Sequence, residues 1–163
     1  MITDEAIFDE CAKVLKSAGG GTVGNASPSF ISWLKEHGVP SELIDFFKSS
    51  CPKTELWAGA GVLFDEAAIV KWNDWHPTMM KAGLLLVGSG PDGTHIVVDF
   101  SIGNGQVGYV CHECDLAKVS IRKFYVPVED SLGKFLQLIN KENSTLPDDY
   151  REAIEQNPLE TKH

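Results

Sequence analysis

What this chain has little of narrows the field first. Only 14 of its 163 residues are Lys or Arg, against 23 Asp or Glu, a formal charge of −9 at pH 7. Phosphate would be repelled in most orientations, so nucleic acid is not expected as a partner, whereas a basic protein would be attracted. No apolar run approaches the ~20 residues that cross a bilayer, so no membrane partner is expected either. The opening Met1-Ile2-Thr3-Asp4-Glu5 has neither the basic start nor the apolar block of a secretory signal, and the expected location is the cytoplasm. Cysteine is sparse, at Cys11, Cys51, Cys111 and Cys114, and in a reducing compartment these are expected as free thiols. Neither H-E-x-x-H nor G-x-S-x-G occurs, which removes two common hydrolytic signatures.

The motifs that remain are poor carriers of chemistry. Cys111-His112-Glu113-Cys114 would need two further ligands for a structural zinc, so no metal is expected. A redox pair would sit at a helix N-terminus, where amides lower the thiol pKa, but this pair follows a strand-like run. Three stretches fit G-x-G-x-x-G, beginning at Gly19, Gly88 and Gly103. None lies between a strand and a helix, which is the geometry that aims helix amides at a pyrophosphate, so no cofactor and no small-molecule substrate are expected. His37, His76, His95 and His163 show no paired spacing. A Cys111 nucleophile meeting a distant histidine in the fold is the remaining enzymatic reading.

What is present is an α+β pattern. The length suits one domain, residues 1–163, which needs no disulfide or metal staple. Ile7, Cys11, Val14, Leu15 and Ala18 share one helical face over Asp4 to Ser17, with Gly19-Gly20-Gly21 as the stop. Ser27-Pro28 opens a second helix closed by Gly38, Ser41 caps a third, and Asp65 caps a fourth, which Asn73 to Pro77 is expected to break. Gly59-Ala60-Gly61 ends a loop carrying Trp57, and Val62-Leu63-Phe64 reads as a short strand. Leu84 to Gly88, Thr94 to Phe100 and Gln106 to Val110 are β-rich runs separated by Gly/Pro/Asp/Asn turns, the pattern of an antiparallel meander. Ile121 to Val126 is β-like, Val128 to Asn140 an amphipathic helix, and Pro147 to Tyr150 opens a last short helix. The expected architecture is a single predominantly antiparallel sheet with helices packed on one face and a helical N-terminal part. The other sheet face should meet water or a partner.

Candidate binding residues follow from that layout. Trp72 matches the apolar stripe of its helix and is assigned to the core, but Trp75 falls in Asn73-Asp74-Trp75-His76-Pro77, read as a loop where an aromatic beside charge suits an anchor. Asp65, Glu66, Asp74, Asp92, Glu113 and Asp115 lie at expected helix starts and sheet-edge loops, and with Trp75 they form the candidate partner-binding surface.

Over roughly residues 39–140 the order of motifs resembles the SUKH superfamily. The carriers are Val39-Pro40-Ser41-Glu42 with its aromatic-rich helix, Val62-Leu63-Phe64 leading into Asp65-Glu66, and Leu86-Val87-Gly88 with Asp92-Gly93 and Ile96 to Asp99. Gly105 to Val110, Val126-Pro127-Val128 and Ser131 to Leu136 complete them. The chain departs from the usual pattern by a helical extension before Gly19 and a helical segment after Asn140. The resemblance implies a fold without catalytic residues and a non-catalytic protein-binding role, first a bacterial immunity protein that occludes a cognate polymorphic toxin, with a basic nuclease among the candidates. An intracellular regulatory or scaffolding module is the alternative it leaves open.

Overall fold

The computed structural model describes residues 22–58, 61–101, 105–113, 120–139 and 145–157. The expected helix over Asp4 to Ser17 and the residues Cys11, Cys114 and Asp115 lie outside them. The described elements run β1 (Val23–Gly24), α1 (Pro28–Glu36), α2 (Ser41–Ser49), β2 (Cys51–Pro52), β3 (Leu56–Ala58), β4 (Gly61–Leu63), α3 (Glu66–Trp75), α4 (Pro77–Lys81), β5 (Leu84–Ser89), β6 (His95–Asp99) and β7 (Gln106–Val110). A 3-10 turn (Ile121–Phe124), β8 (Tyr125–Glu129), α5 (Leu132–Ile139) and α6 (Tyr150–Gln156) complete them. The chain is α+β: β3 to β8 form a six-stranded sheet in sequence order, each strand antiparallel to the next, and β1 and β2 pair separately. A meander with no crossover is what short polar turns between β runs dictate.

Local chemistry sets the helix ends. Ser27 accepts a hydrogen bond from the Phe30 amide at 3.3 Å with Pro28 in the first turn, and Gly38, at φ 74°, carries the chain out of α1 in the left-handed region. The expected Ser41 cap is corrected: Pro40 precedes α2 as its cap residue, no side chain caps that end, and Ser41 is the first helical residue. Asp65 does cap α3, accepting from the Ala68 amide at 2.9 Å. Asp149 caps α6 in the same way, accepting from Glu152.

Asn73 does not break α3, which runs on to Trp75. The reason lies in the sheet. β4 pairs with β5 only at Ser89 and Gly88, so Leu86 on that side lacks a strand partner. Asn73 replaces it: its amide donates to the Leu86 carbonyl at 2.8 Å and the Ile69 carbonyl at 2.7 Å, and accepts from the Leu86 amide at 2.9 Å. The side chain is buried and its bonds satisfy backbone groups that would otherwise be stranded.

Buried Phe30, Leu34, Leu43, Phe46 and Phe47 of the α1–α2 pair join Ile69, Met79 and the strands in one core. β5, β6 and β7 are buried at nearly every successive residue, so side chains on both faces are covered there and the expectation of an open sheet face is corrected for these strands. Strands covered on both faces read as continuous apolar runs, as Leu84 to Val87 and Ile96 to Val98 do. Trp57 belongs to β3 instead of a loop, and Ile121 to Phe124 is a 3-10 turn, with the strand beginning at Tyr125. That turn is held by Arg122, which pairs with the buried Asp99 and donates to the Ala82 carbonyl and Ser101 hydroxyl. Among the described residues no helix is long and apolar enough to cross a membrane.

Candidate functional site

The end of α3, the β5–β6 turn and the segment leaving β7 converge on one recess of about 330 Å³. Its walls are Phe64, Trp72, His76, Ser89, His95 and His112, with Gly93 in the turn. Three rings form a nearly parallel ladder: Phe64 and Trp72 are 5.9 Å apart at 14°, and Trp72 and His76 are 6.2 Å apart at 4°. Two more imidazoles adjoin it but are turned out of its plane, His76 to His95 at 5.1 Å and 58° and His95 to His112 at 6.4 Å and 78°. Gly93, at φ 91°, makes the turn that brings His112 against the backbone; a Cβ there would stand 3.2 Å from the His112 ring.

His95 is the first residue of β6, opposite Ser89 and Val110, and is 9% exposed. Burial, followed by the neighbouring charges of His76 and His112, pushes its pKa down to about 4. Burial also lowers the pKa of His76. Both rings are therefore neutral at pH 7, each with one nitrogen to donate and one to accept. Among the described residues no three His, Cys, Asp or Glu side chains are placed to hold a metal ion together.

Trp75 stands beside this recess, 60% exposed and the one large exposed hydrophobic among the described residues. It is the last residue of α3, not a loop residue, packs edge-on to Trp72 at 5.2 Å, and carries the Lys71 ammonium 4.6 Å from its ring centre. Asp74, next to it, is exposed, as is Glu113, which lies 3.7 Å from the His112 ring. Trp75 packs on Trp72, Asp92 precedes Gly93 and Glu113 follows His112, so these three adjoin residues of the recess, whereas Asp74 lies off the helix face that carries Trp72 and His76.

Asp65, Glu66 and Asp92 serve the fold. Asp65 is the cap of α3. Glu66 accepts from the Ser27 amide at 2.8 Å and pairs with Lys53 at 2.6 Å, while Lys53 also reaches the Asn25 carbonyl. Burial works against the charged form of Glu66, but the Lys53 and Ser27 hydrogen bonds outweigh it and hold its pKa below the ordinary value. Asp92 holds its own turn, accepting from the Thr94 amide and hydroxyl at 3.0 Å each. Asp115 lies outside the described residues.

Two expectations about the cysteines divide. Cys51 is free and buried, its thiol pushed far up by burial. Cys111 is disulfide-bonded, which corrects its expected free thiol; in this form it offers no thiolate nucleophile. The histidine cluster was invisible as a spacing pattern because His76, His95 and His112 come from three separate segments. No family model matches the chain, and no curated protein matches it.

Proposed function

We propose that this protein is a non-catalytic binding module that docks another protein on the face formed by Trp75, Asp74, Glu113 and the adjoining recess. The observation that carries this reading is Trp75, a large aromatic left 60% exposed beside a formed cavity. An amphipathic aromatic in such a place suits an interface anchor, and the flanking acids suit a basic partner. Together with the SUKH-like order of motifs and the charge of −9, this supports a bacterial immunity protein. It would occlude a cognate basic toxin, for instance a nuclease. Net negative charge would steer the encounter and Trp75 would lengthen the life of the complex.

The test is co-expression with the product of the adjacent gene. The chain should relieve that product's toxicity and form a stable complex with it, and Trp75→Ala should weaken the complex by about ten-fold or more, mainly through faster dissociation. A complex indifferent to Trp75→Ala, or unrelieved toxicity, refutes the reading.

A further inference from the structure

We propose that the recess lined by Phe64, Trp72, His76, Ser89, His95 and His112 is a receptor for an arginine side chain presented by the protein partner. The inference rests on the protein-binding reading above and adds the chemistry that this part of the face selects.

The walls favour a flat cation. Phe64, Trp72 and His76 are near-parallel rings, and a guanidinium is planar, delocalised and weakly hydrated, so it can lie flat on such rings and sheds its water more easily than an ammonium. The lining also carries acceptors. His76 and His95 are neutral imidazoles, each with an unprotonated ring nitrogen, and a guanidinium has five donors and no acceptor. No Lys or Arg is among the described residues lining the recess, and the exposed carboxylate of Glu113 lies beside the His112 ring of its wall. A carboxylate or phosphate would meet aromatic faces and a protein of net charge −9. Lys71 already places a cation over the Trp75 ring outside the recess, the same contact on a neighbouring face. The volume of about 330 Å³ falls at the small end of ligand cavities, room for one side chain and not for a folded segment.

The experiment uses the full isotopically labelled chain, with EDTA present to keep metals off the imidazoles and ionic strength held constant. The probe is N-acetyl-arginine methylamide, titrated to about 50 mM because single-side-chain affinities lie in the millimolar range. Two comparators separate the contributions: the citrulline analogue keeps the shape without charge, and the lysine analogue keeps the charge without the plane. Saturable shifts of the Trp72 indole N–H and the His76 and His95 ring signals are expected, with the arginine probe about five-fold or more tighter than either comparator. His76→Ala should weaken it by a similar factor. If that variant loses its dispersed spectrum, His112→Ala, at a less buried ring of the wall, takes its place.

Absence of saturable shifts at these rings overturns the proposal. So does a citrulline analogue that binds as well as arginine, which would make the recess a neutral stacking pocket, or shifts confined to Asp74 and Trp75, which would mark surface attraction alone. The probe is read on the free chain, so its failure leaves docking at Trp75 standing. Conversely, loss of partner binding in the co-expression test leaves the arginine result intact.

Discussion

Acidification should cost this protein stability through His95, and the size of the loss can be worked out. In the unfolded chain the imidazole titrates at its ordinary 6.5, whereas in the fold it is held at about 4 by burial and by His76 and His112. Between those values the unfolded chain binds the proton and the native one does not, so stability rises with pH across the window and is lost as pH falls through it. The full gap corresponds to about 3 kcal/mol at ~1.4 kcal/mol per pH unit, and the part lost between pH 7 and pH 5 is about 2 kcal/mol. His76, lowered in the same direction, adds to it. Glu66 contributes in a separate, more acidic window, because its depressed pKa makes its stabilisation fail only as pH drops below the ordinary 4.5. Urea unfolding followed by tryptophan fluorescence at pH 7, 6 and 5 measures the loss, and His95→Gln removes the titrating group while keeping a polar side chain. The wild type should lose about 2 kcal/mol more than His95→Gln between pH 7 and pH 5. Equal losses to within about 0.5 kcal/mol would refute the reasoning, as would a His95 ring that is protonated at pH 5.5 by NMR.

Three further outcomes follow from the geometry. Asn73→Leu keeps the volume but strands the Leu86 amide and carbonyl, and should lower unfolding free energy by roughly 2–4 kcal/mol in the same urea assay. Arg122→Met leaves buried Asp99 without its guanidinium and should cost roughly 3–5 kcal/mol; adding Asp99→Asn should restore part of that. Gly108→Ala would place a Cβ 2.6 Å from the Val126 carbonyl oxygen and 2.3 Å from the Tyr125 ring, so β7 and β8 must separate and the melting temperature should fall by several degrees, on the order of 1–3 kcal/mol.

Most of the fold could be read because its determinants are local. Turn residues between β runs define a meander, and in a meander each strand pairs with its sequence neighbour, so no long-range choice had to be guessed. Two caps were legible for the same reason, since Ser27 and Asp65 act within three residues of themselves, whereas Ser41 proved to be the first helical residue. Asn73 was misread because its partner is thirteen residues away on another element. Propensity marks asparagine as a helix breaker, since its amide competes for backbone groups, but here the backbone it bonds belongs mainly to β5. The same side-chain chemistry thus ends a helix in one context and completes a sheet edge in another.

The site was legible only where exposure follows from sequence. Trp75 is exposed as expected but for another reason than expected, since it is the last residue of α3 and not part of a loop. The acids were a weaker guide, because Asp at a helix start or a tight turn serves the backbone there, and Asp65 and Asp92 do so. The histidines gave no local sign at all. His95 opens the apolar run Ile96-Val97-Val98 and reads as a buried residue, which it is; its surroundings depend on what the α3–α4 junction and the end of β7 bring to it. A side chain whose meaning comes from two other segments carries that meaning in the topology, and here the topology is a meander whose β6 lies between β5 and β7. Once that order is fixed, the β5–β6 turn and the residues after β7 emerge at the same end of the sheet, because antiparallel strands reverse at each turn. His112 then has to meet Gly93, and His76, which follows the helix bonded to β5 through Asn73, has to meet His95. The recess is therefore a consequence of strand order together with one buried asparagine.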